Sequence, residues 1–169
     1  MAVDNNFKDY KEEIELSFAQ NNGLEIDLYS IIAAIVRKNC KSISLRDVSN
    51  RRICKNGIKN RFFGRAGFPD FVVLDRIKQQ DAAILGCIEA KNVYVVLENS
   101  PKYREQLEGH MESFGTVVYT NGLEWRLFDN KKEVWRITLG TLERKQIKWG
   151  EENKFNELSK KLEDINWKK

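Results

Sequence analysis

Two apolar segments of this 169-residue chain carry charged residues at positions where a buried strand is ordinarily apolar. FPDFVVL (68–74) contains Asp70, and AAILGCIEAKNVYVV (82–96) contains Glu89 and Lys91 two positions apart. Ionised side chains are rarely buried unless they are paired or functional. The two segments and the polar turn DRIKQQD between them predict an antiparallel hairpin whose charges serve a function.

Hydrophobic periodicity gives the order of the remaining elements. It predicts helices at about 7–20, about 24–38, from Ser100-Pro101 onward and at about 152–166. It predicts further strands at 42–45, 116–120, 123–128 and 133–139. This order is typical of an α/β or α+β fold with a mixed sheet. Because no Pro/Gly/Ser-rich linker divides the chain, we expect a single domain over 1–169 with its core at about 24–139.

Composition and cysteine usage argue against several classes of protein. Hydrophobic residues make up 41% and charged residues 32%, which is the balance of a folded globular domain. The polar N-terminus lacks the apolar stretch of a signal peptide, and the longest apolar run, Ile31–Val36, is too short for a membrane span. Cys40, Cys54 and Cys87 form no CxxC pair, and His110 is the only histidine, so a Cys/His zinc site is not expected. We expect a cytoplasmic protein with free thiols and no membrane partner.

The charged positions of the hairpin favour a divalent metal site. Strand alternation puts Glu89 and Lys91 on one face, and antiparallel pairing would bring Asp70 beside Glu89. Two adjacent carboxylates repel each other unless a cation lies between them, and Mg²⁺ binds through one or two carboxylates. The pattern predicts a Mg²⁺ or Mn²⁺ site in which Lys91 orients water or neutralises charge on a phosphate. An ordinary Glu–Lys pair with an Asp in a turn is the alternative.

A basic segment precedes this hairpin, since no acidic residue lies between Asp47 and Asp70. A block of one charge sign favours a polyanion, and we predict that the segment contacts nucleic acid. A solvated basic loop is the alternative. Its cations are Arg51, Arg52, Lys55, Lys59, Arg61 and Arg65.

The motif GFPDFVVL followed by CIEAKN resembles the PD-(D/E)xK nuclease superfamily. The later segment KYREQLEGHMESFGTVVYTNGLEWRLFD resembles the N-terminal nuclease region of type I restriction endonuclease R subunits. The resemblance runs from about Glu25 to Phe128. It implies a restriction-endonuclease-like αβββαβ core, a central mixed sheet flanked by helices, a bound divalent metal and DNA as the substrate.

Carried onto this chain, the resemblance makes Asp70 and Glu89 metal ligands and Lys91 the catalytic lysine. Gln106 matches a glutamine that the family often has in the helix after ExK, although a surface polar residue is the alternative for it. The family also often has an acidic residue on its first helix.

Glu25 is our choice for that helix acid and for a third metal ligand, because it flanks the buried face near the start of the second helix. Glu13 and Glu15 are rivals for the same role. A residue that merely complements the helix dipole is the alternative interpretation of Glu25.

The chain also departs from the restriction-subunit pattern, because it has no GxxxxGK[ST] motif and therefore no site for ATP-driven translocation. It also lacks a recognisable helix-turn-helix or zinc finger. We expect a Mg²⁺-dependent deoxyribonuclease, an endonuclease linked to restriction or to phage and mobile-element biology. Other restriction-system subunits and a second copy of the chain, as a homodimer, are candidate partners. The alternatives are a catalytically silent module that binds nucleic acid or a partner protein, and an assembly domain that uses its C-terminal helix.

Overall fold

The computed structural model describes residues 6–51, 53–98 and 100–169, and its centre is a six-stranded mixed sheet. The helices are α1 (Phe7–Asn21), α2 (Glu25–Asn39), α3 (Pro101–Phe114) and α4 (Glu152–Glu163). The strands are β1 (Ile43–Asp47), β2 (Cys54–Lys55), β3 (Ile58–Lys59), β4 (Phe71–Asp75), β5 (Ile84–Ala90), β6 (Val117–Thr120), β7 (Glu124–Asp129), β8 (Lys132–Thr138), β9 (Gly140–Glu143) and β10 (Gln146–Trp149).

The large sheet has the strand order β1-β4-β5-β6-β7-β8. Strands β5 and β6 run parallel, and the other neighbours are antiparallel. The crossover between the parallel pair is α3, as a parallel connection requires. The sequence α2, β1, β4, β5, α3, β6 therefore has the predicted αβββαβ order, and β7 and β8 extend the sheet.

Helices cover both faces of the sheet, and strand alternation decides which side chains each face receives. Ile88 and Ala90 of β5 belong to the larger core, which also contains buried side chains of α1, α2 and α4. Cys87, one position out of phase, packs instead with Leu107 of α3. Glu89 has the same phase as Cys87, so the fold directs its carboxylate toward α3.

The predicted strand over 82–96 is too long, because β5 ends at Ala90. The Lys91 N–H still donates to the Thr120 carbonyl at 2.8 Å, but the Val93 N–H donates to Gly23 at 3.0 Å, at the start of α2. The chain therefore leaves the sheet here to contact a helix. The sequence predicted a longer strand because the residues after Ala90 are also mostly apolar, although one of them, Tyr94, is half-exposed.

Two small hairpins were not predicted. Strands β9 and β10 meet at a turn in which Arg144 and Lys145 have positive φ angles of 48° and 65°. Neither residue favours such a conformation, so the sequence carries no turn signal there. Strands β2 and β3 lie inside the basic segment, for which the sequence predicted no strand.

The C-terminal helix packs on the domain itself. Phe155, Leu158 and Leu162 of α4 are buried in the larger core, and the helix ends at Glu163 rather than at 166. Its apolar side is therefore occupied within the chain, which removes the basis for an assembly domain built on that surface. Among the helices of the described ranges, none combines the length and apolar character that a bilayer crossing requires.

A buried hydrogen-bond pair joins α1 to the β6–β7 hairpin. The Tyr10 hydroxyl donates to the Gly122 carbonyl at 2.5 Å and accepts from Trp125 Nε1 at 3.1 Å.

We predict that Tyr10→Phe lowers the free energy of unfolding by about 1–3 kcal/mol, because it leaves a buried donor and acceptor unpaired. Urea unfolding checks this. Tyr94→Phe, at a half-exposed ring, is the control and should change the value by less than about 0.5 kcal/mol. Equal effects of the two substitutions would contradict the prediction.

Candidate active site

A cleft of about 510 Å³ lies where the loop before β4, the ends of β4 and β5, and the first turns of α3 meet. It contains every residue that the sequence predicted for catalysis. Those residues are Glu25, Asp70, Glu89, Lys91 and Gln106. The lining also includes the cations Arg65 and Lys102 and the aromatic rings Phe68 and Tyr103. The structure therefore gathers residues from four separate elements at one opening.

Asp70 and Glu89 come together because of the antiparallel register. Phe71 pairs with Ile88, so the next position outward sets Asp70 opposite Glu89. Both carboxylates are buried, with 6% and 3% of their surface exposed. Asp70 Oδ2 also accepts the Ala90 N–H at 2.7 Å, which holds its carboxylate across the hairpin.

Lys91 supplies a positive charge next to these carboxylates through its contact with Glu89. Its Nζ donates to Glu89 Oε1 at 2.5 Å, and it lies 5.1 Å from the centre of the Tyr103 ring. The lysine is 4% exposed although it follows the last residue of β5. This buried ammonium therefore offsets the charge of Glu89, one of the two buried carboxylates.

The pKa values of the two carboxylates move in opposite directions. Burial and the nearby charge of Glu89 raise the pKa of Asp70 from 3.8 to about 8. Burial alone would raise the pKa of Glu89 as well, but the His110 imidazole and the Lys91 ammonium lower it below its usual value. Without a further cation the pair therefore keeps one charge on Glu89 and a proton on Asp70 near neutral pH.

Tyr29 connects Asp70 to Glu25, and the sequence did not single it out. Its hydroxyl contacts Asp70 Oδ1 and lies 3.0 Å from Glu25 Oε1. The hydroxyl has one proton, so it can donate only one of these two hydrogen bonds. If the tyrosine donates to Glu25, a protonated Asp70 can donate the other hydrogen bond to the tyrosine oxygen. Burial also raises the pKa of Glu25, which is half-buried at the start of α2.

Asn92 positions Glu25. Its Oδ1 accepts the Glu25 backbone N–H at 2.6 Å and thereby caps the first turn of α2. The residue directly after the ExK motif thus fixes the helix that carries the acidic candidate. Its rivals lie elsewhere, since Glu15 accepts from Trp149 Nε1 at 2.6 Å and Glu13 lines a groove between α1 and α2.

His110 lies on the buried side of α3 and contacts Glu89. Its Nε2 is 3.2 Å from Glu89 Oε2, at an angle that does not make a hydrogen bond, and the ring is fully buried. The helical spacing of four residues puts it on the same side of α3 as Gln106. That spacing is the sequence signal that could have linked His110 to the site.

The cations of the basic segment have different surroundings. Arg61 donates to the carbonyls of Ala82 at 2.7 Å and Gln80 at 3.1 Å, so it anchors the segment to the turn after β4. Arg65 pairs with Glu112 of α3 at the cleft. Arg51 and Lys59 are exposed; Arg52 and the side chain of Lys55 lie outside the described residues.

The oxygen atoms of the site fit a hard divalent cation. Glu89 Oε2 is buried and has no hydrogen-bond partner in the described part of the chain, and it lies next to a second buried carboxylate. Across the described ranges, no group of three or more His, Cys, Asp or Glu side chains is close enough to hold an ion by itself. Mg²⁺ commonly binds through only one or two carboxylates and keeps several water ligands, so two carboxylates are a suitable set.

Comparison with known proteins bears on the fold. No protein-family model matches the sequence, and no curated relative matches it. Among solved structures, the chain is similar to one in a cryo-EM structure of a DrdV–DNA complex, with a TM-score of 0.59 and 15% sequence identity. The match covers 94% of this chain and 14% of that chain, so this chain spans only a small part of the larger protein. The predicted restriction-endonuclease-like fold is confirmed.

The raised pKa of Asp70 predicts a pH dependence of stability in the absence of divalent metal. The folded state holds this proton up to about pH 8, and the unfolded chain releases it near pH 4. The contribution of Asp70 to stability is therefore fully present below about pH 4 and is lost as the pH rises through this interval, by on the order of 5 kcal/mol at about 1.4 kcal/mol per pKa unit. Asp70→Asn should remove that slope, and urea unfolding from about pH 5 to about pH 9 measures it.

Asp81→Asn, at an exposed carboxylate of the turn after β4, is the matched control and should leave the slope unchanged. Parallel stability curves for wild type and Asp70→Asn would contradict the raised pKa of Asp70 in the folded state.

Proposed function

We propose that the chain is a divalent-metal-dependent endonuclease that hydrolyses DNA phosphodiester bonds. The observation that carries the proposal is the buried set of Asp70, Glu89 and Lys91 in one cleft, where two carboxylates oppose each other and the Lys91 ammonium contacts Glu89. A purely structural pair has no reason to lie in a cleft that opens to solvent. We further propose a role in restriction or in phage and mobile-element biology.

Asp70 and Glu89 are the residues that would hold Mg²⁺ or Mn²⁺, and Glu25 is a candidate for a third contact. The bound ion would polarise the scissile phosphate and lower the pKa of a water molecule. The carboxylates favour the ion because it stabilises the charged form of Asp70, which the site alone disfavours. Tyr29 keeps the carboxylates of Asp70 and Glu25 oriented toward the same opening.

Lys91 supplies the fixed positive charge of the reaction. In hydrolysis a water oxygen bonds to phosphorus, the bond to one sugar oxygen breaks, and that oxygen takes up a proton. Negative charge grows on the phosphate oxygens during this step, and an ammonium held by Glu89 and Tyr103 needs little reorganisation to stabilise it. Gln106 lines the same cleft and can donate an amide proton to a phosphate oxygen.

Two observations support DNA as the partner. Arg65 and Lys102 put positive charge at the cleft, and the basic segment adds cations beside it. The similarity to a chain from a DrdV–DNA complex supports the same class of partner. A volume of about 510 Å³ accommodates a short stretch of one strand, so the remainder of a duplex would lie along the surface that carries the basic segment.

Cleavage of supercoiled plasmid with Mg²⁺ or Mn²⁺ tests the activity. We predict that Lys91→Met lowers the cleavage rate about 10²–10³-fold, because it keeps the volume of the side chain and removes the charge that stabilises the transition state. Lys41→Met, which removes an exposed lysine at the start of the sheet, should cleave like wild type. Thermal unfolding of each variant checks that it is folded.

Absence of cleavage by the wild type with either metal, combined with retained DNA binding, would contradict the enzyme and favour the catalytically silent binding module. Equal rates for Lys91→Met and wild type would contradict the role of Lys91.

Salt dependence tests the basic segment. We predict that replacing its first four cations by Gln makes the slope of log K against log salt shallower by up to about 3.6, since each phosphate contact contributes about 0.9. The substituted residues are Arg51, Arg52, Lys55 and Lys59. Fluorescence anisotropy with duplex DNA measures the slope.

The control carries the same loss of four charges on other surfaces. Its substituted residues are the exposed Lys41, Lys145, Lys148 and Lys161. If both variants change the slope equally, net charge rather than the basic segment determines the affinity.

A further inference from the structure

The β2–β3 hairpin is a short projection with a defined face. Asn56 and Gly57 form its two-residue turn with φ angles of 52° and 76°, the left-handed conformation that an Asn-Gly hairpin turn requires. Cys54 pairs with Lys59, and the Asn60 N–H donates to the Ile53 carbonyl at 2.7 Å. This register sets Ile53 opposite Asn60, and opposite residues of an antiparallel pair share a face. Ile58 lies two positions before Asn60 and so has the same face by strand alternation, which puts Ile53 and Ile58 on one side.

The base of the hairpin is fixed against the domain beside the cleft. Gly64 approaches α3 so closely that a Cβ there would lie 2.5 Å from Ser113 Oγ. The Arg65 N–H donates to the same oxygen at 2.7 Å. At Gly109 a Cβ would lie 2.7 Å from Ala66, so helix and loop are in direct contact. The hairpin therefore extends from a platform that also forms a wall of the cleft.

Ile58 is 75% exposed and Ile53 is 50% exposed, and neither side chain belongs to a core cluster of the described residues. Isolated exposed apolar residues are common, but here two β-branched residues share one face of a projection. The chain segment that carries them has only positive charges, because no acidic residue lies between Asp47 and Asp70. Apolar groups flanked by cations match a DNA groove, where phosphates border an apolar surface of sugars and base edges.

We propose that this hairpin enters a groove of duplex DNA and inserts Ile58, supported by Ile53, against or between base pairs. The inference rests on the proposed function and goes beyond it, because it assigns a non-electrostatic contact that reads the deformability of the duplex. Architectural proteins use isoleucine and similar side chains as such wedges, and pyrimidine–purine steps unstack most easily. The substrate class is therefore duplex DNA with flexible steps near the cleavage position.

The experiment measures binding and base unstacking with the full chain in EDTA, so that the DNA stays intact. The probe is a short fluorescent duplex that carries 2-aminopurine at a TA step, whose fluorescence rises when the base unstacks. The test variant is Ile53→Ser with Ile58→Ser. The control is Ile26→Ser with Ile77→Ser, which removes two isoleucines that are 64% and 45% exposed on other surfaces.

We expect the hairpin variant to bind about tenfold or more weakly, because an isoleucine loses its burial on binding. Its salt slope should match that of wild type, since no cation is removed. The 2-aminopurine signal should be lost in the hairpin variant and retained in the control. Thermal unfolding should be the same for all three proteins, because the substituted side chains are exposed.

Three results would overturn the proposal. Wild-type affinity and 2-aminopurine signal in the hairpin variant, with plasmid cleavage by wild type intact, would reject the wedge and leave the nuclease function standing; the apolar pair would then face a protein partner. A shallower salt slope in the variant would mean that the contact is electrostatic. If wild type neither binds nor cleaves duplex DNA, the proposed function fails and the wedge with it.

Discussion

The opposition of two buried carboxylates across the β4–β5 hairpin governs this structure. Asp70 and Glu89 occupy facing positions, and the Lys91 ammonium contacts Glu89. Burying like charges is unfavourable, and the surrounding structure shows how the cost is reduced. The Ala90 N–H and Tyr29 hold Asp70, and Lys91 and His110 lower the pKa of Glu89. These contacts come from four positions outside the two carboxylates, so the site depends on the packing around the hairpin.

The order of elements in the fold brings that support to one place. Helix α2 delivers Glu25 and Tyr29, and the crossover helix α3 delivers Gln106 and His110. A parallel β5–β6 pair requires a crossover on one face, so α3 must lie over the side of β5 that carries Glu89. The cleft is therefore a consequence of the topology, since these four residues lie far apart along the chain from the hairpin that carries the charges.

The two ends of the basic segment have different surroundings. Near the cleft, Arg61 and Arg65 bind protein groups and fix the loop, with close glycine contacts to α3. Farther out, the β2–β3 hairpin exposes Ile58 to solvent. Both ends are strongly basic in sequence. Only the structure distinguishes Arg61, which is hydrogen-bonded to backbone carbonyls, from the exposed Arg51.

Local sequence by itself determined the order of the main helices and strands, the β4–β5 hairpin and the choice of Asp70, Glu89 and Lys91. Each of these follows from periodicity over a few residues or from charges in an apolar run. Only the tertiary structure decided that β5 ends at Ala90, where the chain turns to contact Gly23 and cap α2. It also decided the contacts of Tyr29 and His110 with the carboxylates, because these join residues that are distant in sequence, and local patterns carry no information about such pairs.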